Sequence, residues 1–207
     1  MIAILGGTGP QGRGLALRFA HAGQSVVIGS RDAQRAAEVA ASIGVEGKAN
    51  ADAAASADIV LVTVPWDAHE PTLRSLVAEL ANKIVVDVVN PMVFDKQGPV
   101  GIPVAEGSAA EQAQAILPNS TVVSGFHHVS AKLLLDESQE IDEDVMICGD
   151  DVAAKEQVLA LARLLPGARG IDAGPLRLSR HLEGMTSVLL SVNRNYKTST
   201  GIHLTRL

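Results

Sequence analysis

Gly7-Thr8-Gly9-Pro10-Gln11-Gly12 spells G-x-G-x-x-G, and it follows directly on the apolar run Ile2-Ala3-Ile4-Leu5. Such a run reads as a strand buried on both faces. The glycines permit a tight turn into a helix whose N-terminus can hold a pyrophosphate. The rest of the chain repeats the alternation of apolar runs and amphipathic stretches. A helix is expected from about 11 to 22, closed by Gly23, then a strand over 25–28 and a helix over 33–42 capped by Asp32. An Ala-rich helix near 51–56, a strand over 58–64, a helix over 70–81 and a strand over 84–89 come next. Ser108-Ala-Ala-Glu111 is a capping box opening a helix to Leu117. Strands over 121–124, 145–148 and 169–172, with helices over 151–164 and 176–196, complete the set. The stretch from Met92 to Gly107 reads as a loop, and the acidic run from Asp136 to Asp144 as a solvated surface segment.

This order predicts an α/β fold, a doubly wound parallel sheet of the Rossmann type with a small C-terminal α/β extension. Residues 1–140 are expected to form the dinucleotide-binding domain. Residues 141–207 are expected to form a small domain completing a cleft. The 207 residues carry a net charge of −6 and only five aromatic side chains, Phe19, Trp66, Phe94, Phe126 and Tyr196. Binding of nucleic acid calls for surplus Lys and Arg and for stacking rings, so that class is excluded. Cys148 is the sole cysteine, which rules out an internal disulfide or a cysteine zinc cage. The first apolar run is too short for a membrane span or signal segment, so a soluble, cytoplasmic protein is expected.

The second strand selects the dinucleotide. NAD enzymes place an acid at its end to bind the ribose 2′-hydroxyl. Here the strand ends Val27-Ile28-Gly29-Ser30-Arg31, with Gly29 at the acid's place. Ser30, Arg31 and, one helical turn on, Arg35 offer the chemistry of a 2′-phosphate site, so NADP(H) is expected. Asp32 is read as a helix cap facing away from that site.

A nicotinamide coenzyme moves hydride, and the residues limit what can receive it. The only tyrosine, Tyr196, is followed at once by Lys197, so no Tyr-x-x-x-Lys acid exists. Cys148 lies in an apolar strand, where inert burial is expected. His127 and His128 are adjacent and point oppositely if extended, and no cluster has metal-ligand spacing. His127 is a candidate to orient a phosphate or a ring, and His128 is expected to face out. No catalytic acid–base set emerges. An acceptor that is itself a redox coenzyme, stacked on nicotinamide, needs positioning more than a protein proton donor. Trp66, Asn90 and Met92 follow strand ends and are candidates to line the crevice.

On these residues the sequence resembles the NADPH-dependent reductases of coenzyme F420, an 8-hydroxy-5-deazaflavin. The resemblance spans the chain. It rests on residues 4–16, Gly29-Ser30-Arg31, Thr63-Val64-Pro65-Trp66, Val122-Val123-Ser124-Gly125-Phe126-His127, Cys148-Gly149-Asp150-Asp151, Asp172-Ala173-Gly174-Pro175-Leu176 and Gly201-Ile202. It implies direct hydride transfer between NADP(H) and coenzyme F420 in a homodimer. It also implies that Thr8, Gly9, Pro10 and Gln11 hold the pyrophosphate and Ser30, Arg31 and Arg35 the 2′-phosphate. Trp66 and Ala131 match positions near nicotinamide, and Thr200 one near the deazaflavin. A family of membrane ferric reductases carries a similar N-terminal domain. The alternatives are an NADPH reductase of a flavin, quinone, imine or carbonyl, and a non-enzymatic NADP(H) sensor.

Overall fold

The structure, a computed structural model, describes residues 1–207. Strand β1 (Ile2–Leu5) sits at the centre of the sheet, and its alternate residues feed two separate cores. Ile2 and Ile4 join one face with Leu15, Phe19 and Ile28. Ala3 and Leu5 join the other with Val62, Leu73 and Val85. That two-sided burial is why the strand's sequence does not alternate.

Helix α1 (Pro10–His21) begins with proline at its first turn, where the missing N–H removes no hydrogen bond. Strand β2 (Val26–Ser30), α2 (Ala33–Ala41), β3 (Glu46–Ala49), α3 (Asn50–Ser56) and β4 (Ile59–Val62) follow. Strand β3 is not expected from its sequence, Glu-Gly-Lys-Ala, because an edge strand needs little apolar content. The expected 70–81 helix starts earlier and is two helices, α4 (Trp66–Ser75) and α5 (Val77–Leu80), broken at Leu76. Strand β5 (Ile84–Asp87) leads into the 92–107 stretch. That stretch holds a hairpin, β6 (Met92–Phe94) and β7 (Pro99–Gly101), rather than a plain loop. Helix α6 (Ala109–Ile116), β8 (Thr121–Ser124), the unexpected short α7 (Ala131–Leu135), β9 (Asp144–Gly149), α8 (Val152–Ala162), β10 (Arg169–Asp172) and α9 (Ser179–Tyr196) complete the chain.

The eight-stranded sheet runs β10-β9-β8-β5-β4-β1-β2-β3. All pairs are parallel except β8–β9, which meets only at Val123–Gly149 and Ser124–Cys148. The order reverses direction at β1 and β4, and the crevice outside the strand ends at such a point is where doubly wound sheets take ligands. Strands β9 and β10, beyond residue 140, continue the same sheet. No helix is long and apolar enough to cross a membrane.

The acidic run is not the solvated segment its composition suggests. Glu143 and Asp144 are fully buried. Asp144 is gripped by Arg169 through Nε (2.5 Å) and Nη2 (2.7 Å), and it accepts the Leu204 N–H at 2.5 Å. His128, expected to face out, is also buried, and its Nε2 donates to the Asp144 carbonyl at 2.8 Å.

Candidate coenzyme cleft

Five segments at strand ends around the reversal point enclose one cavity of about 800 Å³. They are the turn after β1, the Ser30–Arg35 segment at the end of β2, the Thr63–Trp66 segment after β4, the Val88–Met92 segment after β5 and the His127–Lys132 segment after β8. One face of α9 completes it, with Thr186, Leu189, Leu190 and Asn193. The volume suits small-molecule coenzymes.

The glycine turn forms one end. Gly6 is left-handed, with φ of +73°. Thr8, Gly9, Pro10 and Gln11 line the cavity. Gly7 and Gly12 do not line it but make the turn possible. A Cβ on Gly12 would lie 2.5 Å from Thr63 Oγ1 and 2.7 Å from Gly7 Cα, and one on Gly7 would lie 2.7 Å from both Ile28 Cγ2 and the Ile4 carbonyl. In the first turn of α1 the Gln11 and Gly12 N–H groups have no intrahelical acceptor and are free to meet an anion. Gln11 is braced by its own amide, which donates to the Phe126 carbonyl at 3.2 Å.

Ser30, Arg31 and Arg35 lie together on the lining, and both guanidiniums are solvent-exposed with no carboxylate partner. Asp32 does cap α2, accepting the Arg35 N–H at 3.1 Å, but it does not face away: it is part of the lining. With Lys132, the charged lining still favours cations by three to one. Gly29 explains why no acid stands at the end of β2. A Cβ there would come within 2.8 Å of Asn50 Oδ1 and 3.0 Å of Leu5 Cδ2. Asn50 itself lines the cavity, its Oδ1 buried without a partner. Sequence reading missed it; an asparagine opening a helix just after a strand was the available signal.

Trp66, Asn90, Met92, His127 and Ala131 line the other end. Trp66 opens α4 rather than ending a strand, and its indole stacks on His69, ring centres 5.5 Å apart and planes 26° apart. Asn90 is a bracket: its Nδ2 donates to the His127 carbonyl at 2.9 Å, and its Oδ1 is an acceptor 3.2 Å from the Thr186 hydroxyl. Thr186 escaped sequence reading because nothing distinguishes it from other small residues of α9. Phe126 is held at φ +61°, a left-handed conformation unusual for an aromatic residue. Its ring packs edge-on against Phe19, 6.0 Å away. That turn delivers His127 to the cavity wall, 4% exposed, with neither ring nitrogen hydrogen-bonded. Burial, together with neighbouring His128, pushes its pKa down to about 3, so the imidazole stays neutral. Thr200 is not on the lining. It reaches the cavity through Asn193, whose Oδ1 accepts from both Thr200 N and Thr200 Oγ1 at 2.7 Å.

Arg18 is a structural residue not foreseen. It is 5% exposed, and it donates to the carbonyls of Leu133, Leu134, Asp136 and Gln139, pinning α7 and the segment after it to α1. Cys148 is fully buried and burial raises its thiol to about 11, so it is no nucleophile.

The family model for coenzyme F420-dependent NADP oxidoreductases matches residues 1–91. The F420-dependent NADP reductase of Methanothermobacter thermautotrophicus is 40% identical over all of this chain and 95% of its own length. That of Methanocaldococcus jannaschii is 40% identical over all of this chain and 98% of its own. A solved structure carrying the label F420 dependent NADP-reductase, from Arthrobacter sp., superposes with a TM-score of 0.86 at 30% identity, covering 99% of both chains. The rat metalloreductase STEAP3 is 34% identical, but the match covers only 37% of it. With the glycine turn, the basic corner at Arg31 and Arg35 and full-length identity in agreement, this chain belongs to the family of F420-dependent NADP reductases.

Proposed function

We propose that this protein transfers hydride directly between NADP(H) and coenzyme F420. The observation that carries it is the continuous cavity, which runs from the glycine turn and the Arg31–Arg35 corner to Trp66, His127 and α9. NADP(H) lies over the glycine turn with its 2′-phosphate among Ser30, Arg31 and Arg35. Its nicotinamide reaches Trp66 and Ala131, and the deazaflavin fills the space toward Met92, Asn193 and Thr200. Residues 141–207 supply α9 and so complete the cleft. In reduction of the deazaflavin, nicotinamide C4 gives hydride to deazaflavin C5 and the deazaflavin takes one proton from solvent. The chain's part is alignment and exclusion of water. His127, neutral and unpartnered, gives one hydrogen bond to a coenzyme without supplying charge. Mixing the protein with NADPH and oxidised coenzyme F420 bleaches the deazaflavin. Absence of bleaching, with turnover of a free flavin, quinone or imine instead, rejects this function.

The working form is a cytoplasmic homodimer. Phe94 is 72% exposed and Val188 59%, with Val93 and Val100 nearby on the hairpin that packs on α9. Apolar side chains gathered on adjoining elements mark an interface, and a self-complementary one closes a two-fold dimer. Light scattering on Phe94→Glu gives a monomer where the unaltered chain gives a dimer. A monomeric unaltered chain contradicts the assignment.

A further inference from the structure

Behind the ring end of the cavity lies a buried polar cluster drawn from four elements. His69 of α4 is fully buried. Its Nε2 donates to Asp87 Oδ2 at 2.6 Å and its Nδ1 faces Gln112 Oε1 at 3.0 Å. The Gln112 amide is oriented by its own donation to Glu106 Oε2 at 3.3 Å, which leaves its oxygen as the acceptor toward His69. Both ring nitrogens thus meet acceptors, and the arrangement is satisfied by a doubly protonated imidazolium. Burial opposes that charge, but Asp87, Gln112 and the more distant Glu183 of α9 outweigh it and move the His69 pKa upward. The ionisable groups facing His69 are then Asp87 on β5, Glu183 on α9, whose own carboxyl burial pushes up to about 8, and, through Gln112 of α6, Glu106.

We propose that the His69–Asp87 pair is the positioning device for hydride transfer, locking Trp66 and the Val88–Val89 turn from behind while touching neither coenzyme. Two contacts carry this. The imidazolium lies under the Trp66 indole, the geometry of a cation–π pair, and fixes the ring that walls the nicotinamide end. The second Asp87 oxygen, Oδ1, accepts the Val89 N–H at 3.0 Å, so the same carboxylate that holds α4 also holds the cavity wall after β5. One buried anion therefore sets the spacing between two walls of the cavity. No side-chain hydrogen bond or ion pair joins the Arg31–Arg35 corner or the glycine turn to this cluster.

The assignment of the two coenzymes rests on the function proposed above, and the test separates the two. Trp66 is the only tryptophan, so intrinsic emission reports on this stack alone. A stacked imidazolium quenches indole emission. His69→Gln is expected to raise Trp66 emission, to lower kcat with NADPH and coenzyme F420 by about tenfold or more, and to leave the Kd of NADP+ within about threefold. A folded His69→Gln protein with unchanged kcat, or with unchanged emission, overturns the inference. So does a loss that falls equally on NADP+ binding and kcat, because a merely structural role does that. Where His69→Gln fails to fold, Gln112→Met, off the cavity lining, is expected to give the same pattern more weakly. Its failure to shift either emission or kcat is equally decisive against the pair. An unaltered protein that does not reduce the deazaflavin at all refutes the proposed function instead, and the emission arm still tests the stack.

Discussion

Arg31→Ala raises the KM for NADPH by about 10- to 100-fold and leaves the KM for NADH nearly unchanged. Hydrogen bonds to a charged group contribute roughly 1.5–3 kcal/mol, and each 1.4 kcal/mol is about tenfold. Arg31 is exposed, so solvent and salt screen part of the effect, while Arg35 and the Ser30 hydroxyl retain some grip. NADH has no 2′-phosphate and loses nothing. The converse change, Gly29→Asp, does not make an NAD enzyme, because the new side chain meets Asn50 and Leu5 before it reaches a ribose. Equal losses for NADPH and NADH in Arg31→Ala contradict the 2′-phosphate assignment.

Glu143→Gln stabilises the fold by a few kcal/mol at pH 8 and by almost nothing near pH 4.5. The Glu143 side chain is buried, neither carboxylate oxygen has a well-formed hydrogen bond, and its nearest basic group is His128 Nε2 at 3.8 Å. Burial pushes its pKa from 4.5 to about 8. Burial likewise lowers that of His128, so at neutral pH the pair is a protonated acid beside a neutral imidazole. Between pH 4.5 and 8 the folded chain holds a proton that the unfolded chain has released. Stability from this group therefore falls as pH rises through that window, by about 1.4 kcal/mol per unit, and levels off above it. Glutamine is permanently neutral and removes the slope. Urea unfolding at pH 5, 6.5 and 8 reads the difference directly. Parallel pH profiles for the two proteins contradict a buried, protonated Glu143.

Glu143 also shows why part of the molecule was hidden in its sequence. Six acids within nine residues look like a wet loop, since charge runs are usually solvated. Two of them are buried by groups far along the chain: Arg169, 25 residues on, and the segment around Gly201–Leu204. The His69–Asp87–Gln112–Glu183 cluster is distributed in the same way, and no local pattern joins its members. The hairpin over 92–101 and α7 were missed for a different reason. Both are short and are held from outside, the first by packing on α9 and the second by Arg18. The glycine turn was legible because its spacing signature is local, although Ile28 against Gly7 and Thr63 against Gly12 enforce it from farther along the chain. Gly7, Gly9 and Gly12 are needed within a few residues of the strand they follow. The Gly29-Ser30-Arg31 corner was legible for the same reason, although the collision that forbids an acid there required Asn50 to be seen in place. Asp32 was half legible: its cap is local, and its place on the lining is not.

Direct transfer is tested most sharply by isotope. NADPH carrying deuterium at the transferred C4 position is incubated with the protein and oxidised coenzyme F420 in ordinary water, and the reduced deazaflavin is analysed by mass and by NMR. Direct hydride transfer in the cleft places one deuterium at deazaflavin C5. Reduced deazaflavin without deuterium, or no reduction at all, contradicts it.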